Sequence, residues 1–285
     1  MAFAALSITE VDSHRKTVTT NGLEYSYLEY GSTDNPPVIL LHGVWSTGAV
    51  WHDIAVALAE THHVRSVDFR GRSQTEWSPE GDYSTEAYVA DLLGLYEAWS
   101  LEKTTVIGHS MGGGVATALA AKHPERVESL VVIDAGPVMR AGSSVEFERQ
   151  LASLSQDFPS IAAARAWQAQ ALPNISDDAV ERRLDARLVE RDGRVVWRED
   201  PRIRTGRRLT VRPSEDEMWK RYLSVKARTL FILGGNSQLV TDEAEKRLTT
   251  EMADAQSIRI ANAGHNVFED NHDDTMTAIK SFLGE

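Results

Sequence analysis

The sequence predicts an α/β protein in which helices cover both faces of a mostly parallel β-sheet. Short apolar runs rich in Val, Ile and Leu recur along the 285 residues, and Gly, Pro or polar residues bound them. Runs of this kind are typical of buried strands. Amphipathic segments separate the runs, and an alternation of strand and helix indicates a parallel sheet.

The predicted elements follow in order along the chain. The apolar runs that we predict to be parallel strands span residues 38–41, 64–69, 104–107, 130–133, 229–233 and 256–260. The segments between them with a helical pattern span residues 50–60, 85–99 and 111–123. Before these elements, Asn21-Gly22 separates two β-rich runs, 16–20 and 23–30, and this dipeptide is a strong hairpin signal. We therefore expect an antiparallel edge on the N-terminal side of the sheet.

The regular alternation stops between about residues 138 and 222. This stretch has helical patterns over residues 145–154, 161–171 and 177–189, and it has no convincing strand pattern. We predict a helical cap, or lid, of residues 138–222, inserted into an α/β core of residues 1–137 and 223–285. Arginine is dense over residues 182–212. The simpler interpretation is a solvated face with internal ion pairs; the alternative is that one or two arginines bind an anionic group in the cleft.

Composition excludes several classes of function. A formal net charge of -12 disfavours a nucleic-acid partner. The absence of cysteine rules out disulfides, thiolate metal sites and a cysteine nucleophile. The N-terminus lacks the basic start and the longer apolar stretch of a signal peptide, and no apolar run approaches the roughly 20 residues that span a bilayer. We expect a cytoplasmic protein that acts on a small molecule without a membrane partner; its oligomeric state stays open.

A nucleophile motif lies at the centre of the pattern. Gly108-His109-Ser110-Met111-Gly112 matches G-x-S-x-G and stands directly between a predicted strand and a predicted helix. In this setting the serine occupies a strained turn that projects its hydroxyl above the sheet, and the flanking glycines relieve clashes at the turn. The alternative is a glycine-rich turn that only packs. The sequence predicts Ser110 as the nucleophile.

Two further segments supply the groups that such a serine needs. His42-Gly43 follows the first long parallel strand, so a backbone N–H there, of Val44 in preference to Trp45, can form an oxyanion hole with the N–H of Met111. His265 follows the last predicted strand and has the proton affinity that suits a general base. His109, next to the nucleophile, is expected to point away from the site. No ligand spacing among the histidines supports a metal.

The acid that orients the histidine is less clear from the residues. The chain order of serine, acid and histidine limits it to positions between 110 and 265. Two strand ends offer candidates: Asp134, directly after residues 130–133, and the loop 234–240, after residues 229–233. An alternative interpretation of Asp134 is that it only caps the turn before Gly136-Pro137.

Motifs over nearly the whole chain resemble the α/β-hydrolase superfamily, in particular its cap-bearing serine hydrolases. They are His42-Gly43, Asp68-Phe69-Arg70-Gly71, the run Gly108 to Gly113, His123-Pro124-Glu125-Arg126-Val127 and Gly264-His265. The resemblance implies the α/β-hydrolase fold, with the insertion as its lid.

Two departures from the family pattern are visible. After Asp68, many members read D-x-R-G-x-G-x-S, whereas this chain has Arg72-Ser73-Gln74-Thr75, which affects the packing of that loop. Most members also place the acid in G-x-x-D-x-x-V after the next-to-last strand, where this chain has Ser237. Some lactonases, dehalogenases and cofactor-free dioxygenases carry it after the strand that follows the nucleophile helix. That position matches Asp134, which we favour over Asp242, the nearest later carboxylate.

These residues predict a serine hydrolase that cleaves a small, apolar ester or lactone through an acyl-enzyme, without a metal or other cofactor. The serine excludes mechanisms that need an aspartate nucleophile. Three alternatives stay open: hydrolysis of a carbon–carbon bond in a diketone-like compound, cofactor-independent dioxygenation, and ligand binding without catalysis. Tryptophan is more often a packing residue, but five tryptophans are candidates to line the pocket: Trp45, Trp51, Trp167, Trp197 and Trp219.

Overall fold

The computed structural model describes residues 8–138, 157–171, 175–204 and 213–285. Within these ranges the strands, in chain order, are β1 (Arg15–Thr20), β2 (Leu23–Tyr30), β3 (Pro37–Leu41), β4 (His63–Val67), β5 (Thr104–His109), β6 (Val127–Ile133), β7 (Asp157–Phe158), β8 (Leu188–Arg191), β9 (Arg194–Trp197), β10 (Arg228–Gly234) and β11 (Ala255–Ile260).

The helices surround these strands. In chain order they are α1 (Ile8–Ser13), a 3-10 turn (Gly48–Trp51), α2 (His52–Leu58), α3 (Thr85–Ala98), α4 (Met111–Lys122), α5 (Ile161–Ala171), α6 (Asp177–Arg187), α7 (Pro201–Arg204), α8 (Glu215–Leu223), α9 (Asp242–Glu251), α10 (Val267–Asp270) and α11 (His272–Leu283).

Eight strands form one sheet in the order β1-β2-β4-β3-β5-β6-β10-β11. The pairs from β4 to β11 are all parallel, whereas β2 pairs antiparallel with both β1 and β4. Asn21 and Gly22 join β1 to β2 with φ of 51° and 76°, the left-handed values that a tight hairpin turn requires. The predicted fold class, a mostly parallel sheet with an antiparallel N-terminal edge, is confirmed.

Apolar side chains fill both faces of this sheet. Along β3, Ile39 and Leu41 belong to the apolar cluster on one face, and Val38 and Leu40 belong to the cluster on the other. This alternation follows from the two-residue period of a strand. Each such side chain, fully removed from water, contributes roughly 1.5–3 kcal/mol. Covered on both sides, the sheet is a rigid platform for the loops at its ends.

The carboxyl ends of the parallel strands share one edge of the sheet. His42 follows β3, Ser110 follows β5, Asp134 follows β6, and His265 lies on the loop after β11. Open α/β sheets bind ligands outside this edge. The topology therefore brings together four residues that are far apart in sequence.

The segment between β6 and β10 contains strands as well as helices. Helix α5 matches the predicted range 161–171, and α6 ends at Arg187 because Leu188 opens β8. The predicted helix 145–154 lies outside the described residues. The expectation of no strand here was wrong, because β7, β9 and β8 form a small antiparallel sheet. Asp192-Gly193, with φ of 53° and 73°, turns β8 into β9, and this Asp-Gly pair is a hairpin signal in the sequence.

This segment has an apolar cluster of its own. Phe158, Leu184 and Trp197 are among its buried members. In contrast, Trp219 and Tyr222 of α8 pack in one of the two clusters of the central sheet. We retain the proposal of a core and an inserted cap, and we place the second boundary before α8 rather than at residue 222.

Candidate active site

Ser110 occupies the sharp turn between β5 and α4. Its backbone φ and ψ are 54° and -117°, a sparsely populated conformation that costs of order 1–3 kcal/mol. A Cβ at Gly108 would lie 2.4 Å from the carbonyl oxygen of Gly112, and a Cβ at Gly112 would lie 2.2 Å from that of Leu41. Only glycine fits at both positions, so the strand–turn–helix setting that the motif predicts is present.

His265 lies between Ser110 and Asp134. Its Nε2 is 3.0 Å from Ser110 Oγ, and its Nδ1 is 2.7 Å from Asp134 Oδ2. Because an ionised carboxylate only accepts hydrogen bonds, Nδ1 carries the proton and donates it to Asp134. Nε2 is then free to accept the hydrogen bond of the Ser110 hydroxyl. The three predicted residues therefore form a continuous hydrogen-bonded chain.

Asp134 is held at the end of β6 by its neighbours. Its side chain is buried, its φ is 46°, and its N–H donates to the carbonyl oxygen of Ile232 at 2.8 Å. Oδ1 accepts the N–H of Gly234 at 3.3 Å, and Oδ2 accepts the hydroxyl of Ser237 at 2.6 Å. The alternative acid, Asp242, has a side chain that is 92% exposed and pairs with Arg259. The structure thus brings Asp134, and not Asp242, to the imidazole.

The loop after β3 presents a backbone N–H next to the serine. The ring of His42 donates from Nδ1 to the carbonyl oxygen of Gly43 at 2.7 Å and accepts the N–H of Phe69 at Nε2, at 3.2 Å. Burial lowers the pKa of His42 far below its usual value, so the ring stays neutral. Since a trans peptide is planar, fixing the carbonyl of Gly43 directs the N–H of Val44 to the opposite side.

The segments that carry the two predicted oxyanion donors adjoin Ser110. A Cβ at Gly43 would be 3.5 Å from the Cβ of Ser110, so the loop that contains Val44 passes beside the serine. Met111 is the first residue of α4, and the first N–H groups of a helix have no intrahelical partner. Val44 and Met111 can therefore direct two N–H groups at an oxygen bonded to the carbon that Ser110 attacks.

Arg72 contacts the two residues that carry these N–H groups, through the Val44 carbonyl and the Met111 sulfur. The guanidinium is fully buried; Nε donates to the carbonyl oxygen of Val44 at 3.1 Å, Nη1 donates to the Tyr88 hydroxyl at 2.8 Å, and Nη2 lies 3.7 Å from Met111 Sδ. Sequence reasoning treated the departure at Arg72 as a matter of loop packing. The structure shows a buried cation touching both residues of the candidate oxyanion hole.

His109 contacts the loop that carries His265, so the expectation that it points away was wrong. Its Nε2 donates to the carbonyl oxygen of His265 at 2.8 Å, and the two ring centroids are 4.7 Å apart. Burial lowers the pKa of His109 far below its usual value. Asp270 anchors the same loop, since it accepts the N–H of Gly264 at 2.7 Å. The backbone that carries His265 is therefore fixed on both sides.

Most of the candidate pocket tryptophans are packing residues. Trp51 is fully buried and stacks on Phe268 with ring centroids 4.3 Å apart. Trp167 and Trp197 pack against each other at 5.8 Å in the cluster of the inserted segment. The guanidinium of Arg247 lies over the ring of Trp219, with its Cζ atom 4.0 Å from the ring centroid. Trp45 is half-buried. It is the one of the five tryptophans that is adjacent in sequence to Val44, a candidate oxyanion donor.

The arginines of the inserted segment mainly form ion pairs. Their partners include Asp53 for Arg182, Glu269 for Arg183, Glu199 for Arg187, Asp157 for Arg194 and Asp200 for Arg202. The ion pairs agree with the simpler interpretation, but its solvated face does not describe Arg183 and Arg187, which are buried. Arg207, Arg208 and Arg212 lie outside the described residues.

The described part of the chain contains neither a metal-binding cluster nor a helix suited to span a membrane. Across residues 8–138, 157–171, 175–204 and 213–285, no group of three or more histidine, aspartate or glutamate side chains is arranged to hold a metal ion. Over the same ranges, no helix combines the length and the apolar character that crossing a bilayer requires.

The fold and the site together define the class of protein. The chain belongs to the α/β-hydrolase fold family, whose sequence profile matches residues 36–272. Among individual relatives, it is 30% identical over 269 residues to the sn-1-specific diacylglycerol lipase ABHD11 of Mus musculus. The matched region covers 92% of this chain and 85% of the relative. The chain is 28% identical over 260 residues to esterase YbfF of Escherichia coli, covering 88% and 94% respectively.

A solved structure extends this similarity. E-2-(acetamidomethylene)succinate hydrolase superposes with a TM-score of 0.86 at 26% sequence identity, over 95% of this chain and 99% of the other. The three relatives are named as a lipase, an esterase and a hydrolase. A hydrolase is therefore the class of enzyme that the comparisons support for this chain.

Proposed function

We propose that this protein is a serine hydrolase that cleaves a carboxylic ester or a lactone. The observation that carries the proposal is the chain of hydrogen bonds from Ser110 through His265 to Asp134, with distances of 3.0 Å and 2.7 Å. A nucleophile and a base within hydrogen-bond reach, with the base oriented by a third group, are the arrangement that activates a serine hydroxyl. Relatives named as an esterase and a diacylglycerol lipase support ester chemistry.

The reaction proceeds through an acyl-enzyme. His265 Nε2 removes the proton of the Ser110 hydroxyl while Oγ forms a bond to the substrate carbonyl carbon. The carbonyl oxygen becomes an oxyanion that the N–H groups of Val44 and Met111 stabilise; one such donor is worth about 2.7–4 kcal/mol. As the C–O bond to the alcohol breaks, His265 gives its proton to the leaving oxygen.

Water completes the cycle. His265, again neutral, takes a proton from a water molecule whose oxygen attacks the acyl carbon, and a second oxyanion forms at the same donors. When the bond to Ser110 Oγ breaks, His265 returns the proton to the serine and the carboxylic acid leaves. Asp134 keeps the imidazole in the required tautomer and stabilises its charged form, without itself taking the proton. In a lactone the leaving alcohol stays attached to the acyl group, so the product is one hydroxy acid.

The buried tie of His42 to Gly43 and the contacts of Arg72 belong to the same proposal. Both act on the backbone of the oxyanion loop rather than on the substrate. A donor that is fixed before the reaction needs no reorganisation when charge develops, which is the main source of its catalytic effect. The residues around Val44 thus supply preorganisation, whereas Ser110 and His265 supply bond making and proton transfer.

A panel of short-chain p-nitrophenyl esters and simple lactones tests this function. We expect steady turnover by the wild type and none by Ser110→Ala, with circular dichroism confirming that the variant is folded. Turnover that persists in Ser110→Ala would assign the hydrolysis to another group. Hydrolysis of a vinylogous diketone but not of esters would favour the carbon–carbon reaction, and oxygen uptake with an aromatic heterocycle would favour the dioxygenase.

A further inference from the structure

The loop after β10 places a hydroxyl group against the carboxylate of Asp134. Ser237 Oγ donates to Asp134 Oδ2 at 2.6 Å, and His265 Nδ1 donates to the same oxygen at 2.7 Å. Two donors therefore share one carboxylate oxygen next to the nucleophile. The acyl-enzyme reaction assigns no role to the Ser237 hydroxyl.

The direction of the Ser237 hydroxyl is fixed by its surroundings. The N–H of Leu239 donates to Ser237 Oγ at 3.3 Å, and the N–H of Ser237 donates to the carbonyl oxygen of Gly234 at 3.1 Å. Oγ is thus an acceptor on the side of Leu239. Since a carboxylate only accepts, the hydroxyl proton is directed at Asp134.

Asp134 depends on this bond because its carboxylate is buried and has few donors. Asp134 is 1% exposed, and within the described residues its other oxygen, Oδ1, accepts only the N–H of Gly234, at 3.3 Å. Among the residues that the structure describes, the ion pair recorded for Asp134 is with His265, and none is with lysine or arginine. A buried charge without a fixed cation requires hydrogen-bond donors, and a short bond from a hydroxyl to a carboxylate is a strong one.

We propose that Ser237 is a positioning residue that sets the strength of the hydrogen bond between Asp134 and His265. This inference rests on the proposed serine hydrolase, whose base is His265. Each donor on a shared oxygen neutralises part of the negative charge that the other experiences. The Ser237 hydroxyl therefore orients Asp134, and it weakens the pull of Oδ2 on the proton of the charged imidazole.

The proposal predicts a particular change when the hydroxyl is removed. In Ser237→Ala the full charge of Oδ2 acts on His265, so the imidazole stays protonated to higher pH. We expect the titration midpoint of His265 to rise by at least about 0.5 pH unit, with the acid limb of kcat/KM moving in the same direction. We expect kcat at its optimum to fall about tenfold, because the acid is held less firmly.

Ser237→Thr and Thr241→Ala are the matched controls. Ser237→Thr retains the hydroxyl and should restore both the midpoint and the rate. Thr241 lies four residues further along, where its hydroxyl caps α9 by accepting the N–H of Ala244 at 3.2 Å. Thr241→Ala also removes a hydroxyl from this part of the chain, but it should lower Tm without moving the titration of His265.

NMR titration of the histidine side chains, together with the pH profile of hydrolysis, decides the matter. A folded Ser237→Ala protein with an unchanged His265 midpoint overturns the proposal. If the wild type shows no Ser110-dependent hydrolysis, the proposed function fails, and the NMR titration still tests Ser237 because it needs no substrate. If Ser237→Ala does not fold, Ser237→Cys is measured instead; a thiol is a weak donor, and the midpoint should again rise.

Discussion

The carboxyl edge of the central sheet and the inserted segment between β6 and β10 use polar residues in opposite ways. At the sheet edge, Ser110 and Asp134 have positive φ values of 54° and 46°, and their side chains share His265 as a neighbour. In the inserted segment, Arg183 and Arg187 pair with carboxylates. Both regions bury charge, since Arg183 and Arg187 are buried as well. At the sheet edge, however, two strained residues flank one histidine, and because such strain costs free energy, this arrangement supports a functional site.

The ion pairs of the inserted segment attach it to the rest of the molecule. Arg183 pairs with Glu269 on α10, next to the loop of His265, and Arg182 pairs with Asp53 on α2. Arg202 donates to the carbonyl oxygen of Ser78 at 2.6 Å. We therefore expect substitutions at the sheet edge to lower the rate of hydrolysis with little effect on stability. Substitutions in the inserted segment should lower stability with little effect on the rate.

The largest expected effect is that of Ser110→Ala. Removing the nucleophile should lower kcat for a responsive ester by at least about 10⁴-fold, because binding and the oxyanion donors alone give little turnover. Tm should be unchanged or slightly higher, as judged by thermal denaturation. A large fall in Tm would contradict the expected difference between the two regions, because it would show that Ser110 stabilises the fold.

Asp134→Asn should have the next largest effect. An amide at this position offers His265 the wrong hydrogen-bonding partner and the wrong tautomer, so kcat should fall by about 10⁴-fold. Asp242→Asn is the matched control, because it removes a nearby carboxylate that is exposed and pairs with Arg259. Steady-state kinetics with the same ester compare the two; equal losses, or a loss confined to Asp242→Asn, would contradict the assignment of the acid.

Arg72→Met should have an intermediate effect. Without the guanidinium, the Val44 carbonyl loses its donor and the oxyanion loop loosens, so kcat should fall by roughly 10- to 100-fold with little change in KM. Arg70→Met is the control, because Arg70 pairs with Asp91 in the same part of the chain and should affect stability more than kcat. Identical kinetic losses in the two variants would show that Arg72 only supports the fold.

The smallest expected effect lies in the inserted segment. Burial, reinforced by the charge of Glu181, raises the pKa of Asp185 from 3.8 to about 6. The folded protein therefore loses stability as pH rises from about 4 to 6, where the unfolded chain releases this proton more readily. Asp185→Asn should raise the free energy of unfolding at pH 8 by less than about 1 kcal/mol, because the group is partly exposed. Tm should therefore rise slightly at pH 8 and stay unchanged at pH 4. Glu190→Gln, at an exposed position of β8, removes the same charge and should change Tm at neither pH.

Sequence patterns predicted much of the fold because local periodicity determines it. The alternation of apolar runs and helices gave the parallel sheet, and Asn21-Gly22 gave the N-terminal hairpin. The same turn chemistry is present at Asp192-Gly193, between β8 and β9, but the helix predicted over residues 177–189 extended into β8. At the site, G-x-S-x-G and a histidine after the last strand sufficed to select Ser110 and His265, which the structure brings within hydrogen-bond distance.

The supporting contacts could not be predicted in this way. The direction of His109 depends on the φ and ψ values of the turn, and these cannot be read from residue types. Arg72 reaches a carbonyl oxygen 28 residues away, and Ser237 reaches a carboxylate 103 residues away. Contacts of this range exist only once the sheet has assembled, so a motif records the residues that react but not those that hold them.

The positive φ values of Ser110 and Asp134 lower the stability of the folded protein. Glycine adopts such a conformation without the steric penalty that a Cβ imposes, so Ser110→Gly and Asp134→Gly relieve strain in the native backbone. Selection for thermal endurance alone would favour such replacements and would return inert proteins. Under the proposed function, part of the folding free energy is given up at these two positions to hold two side chains beside His265.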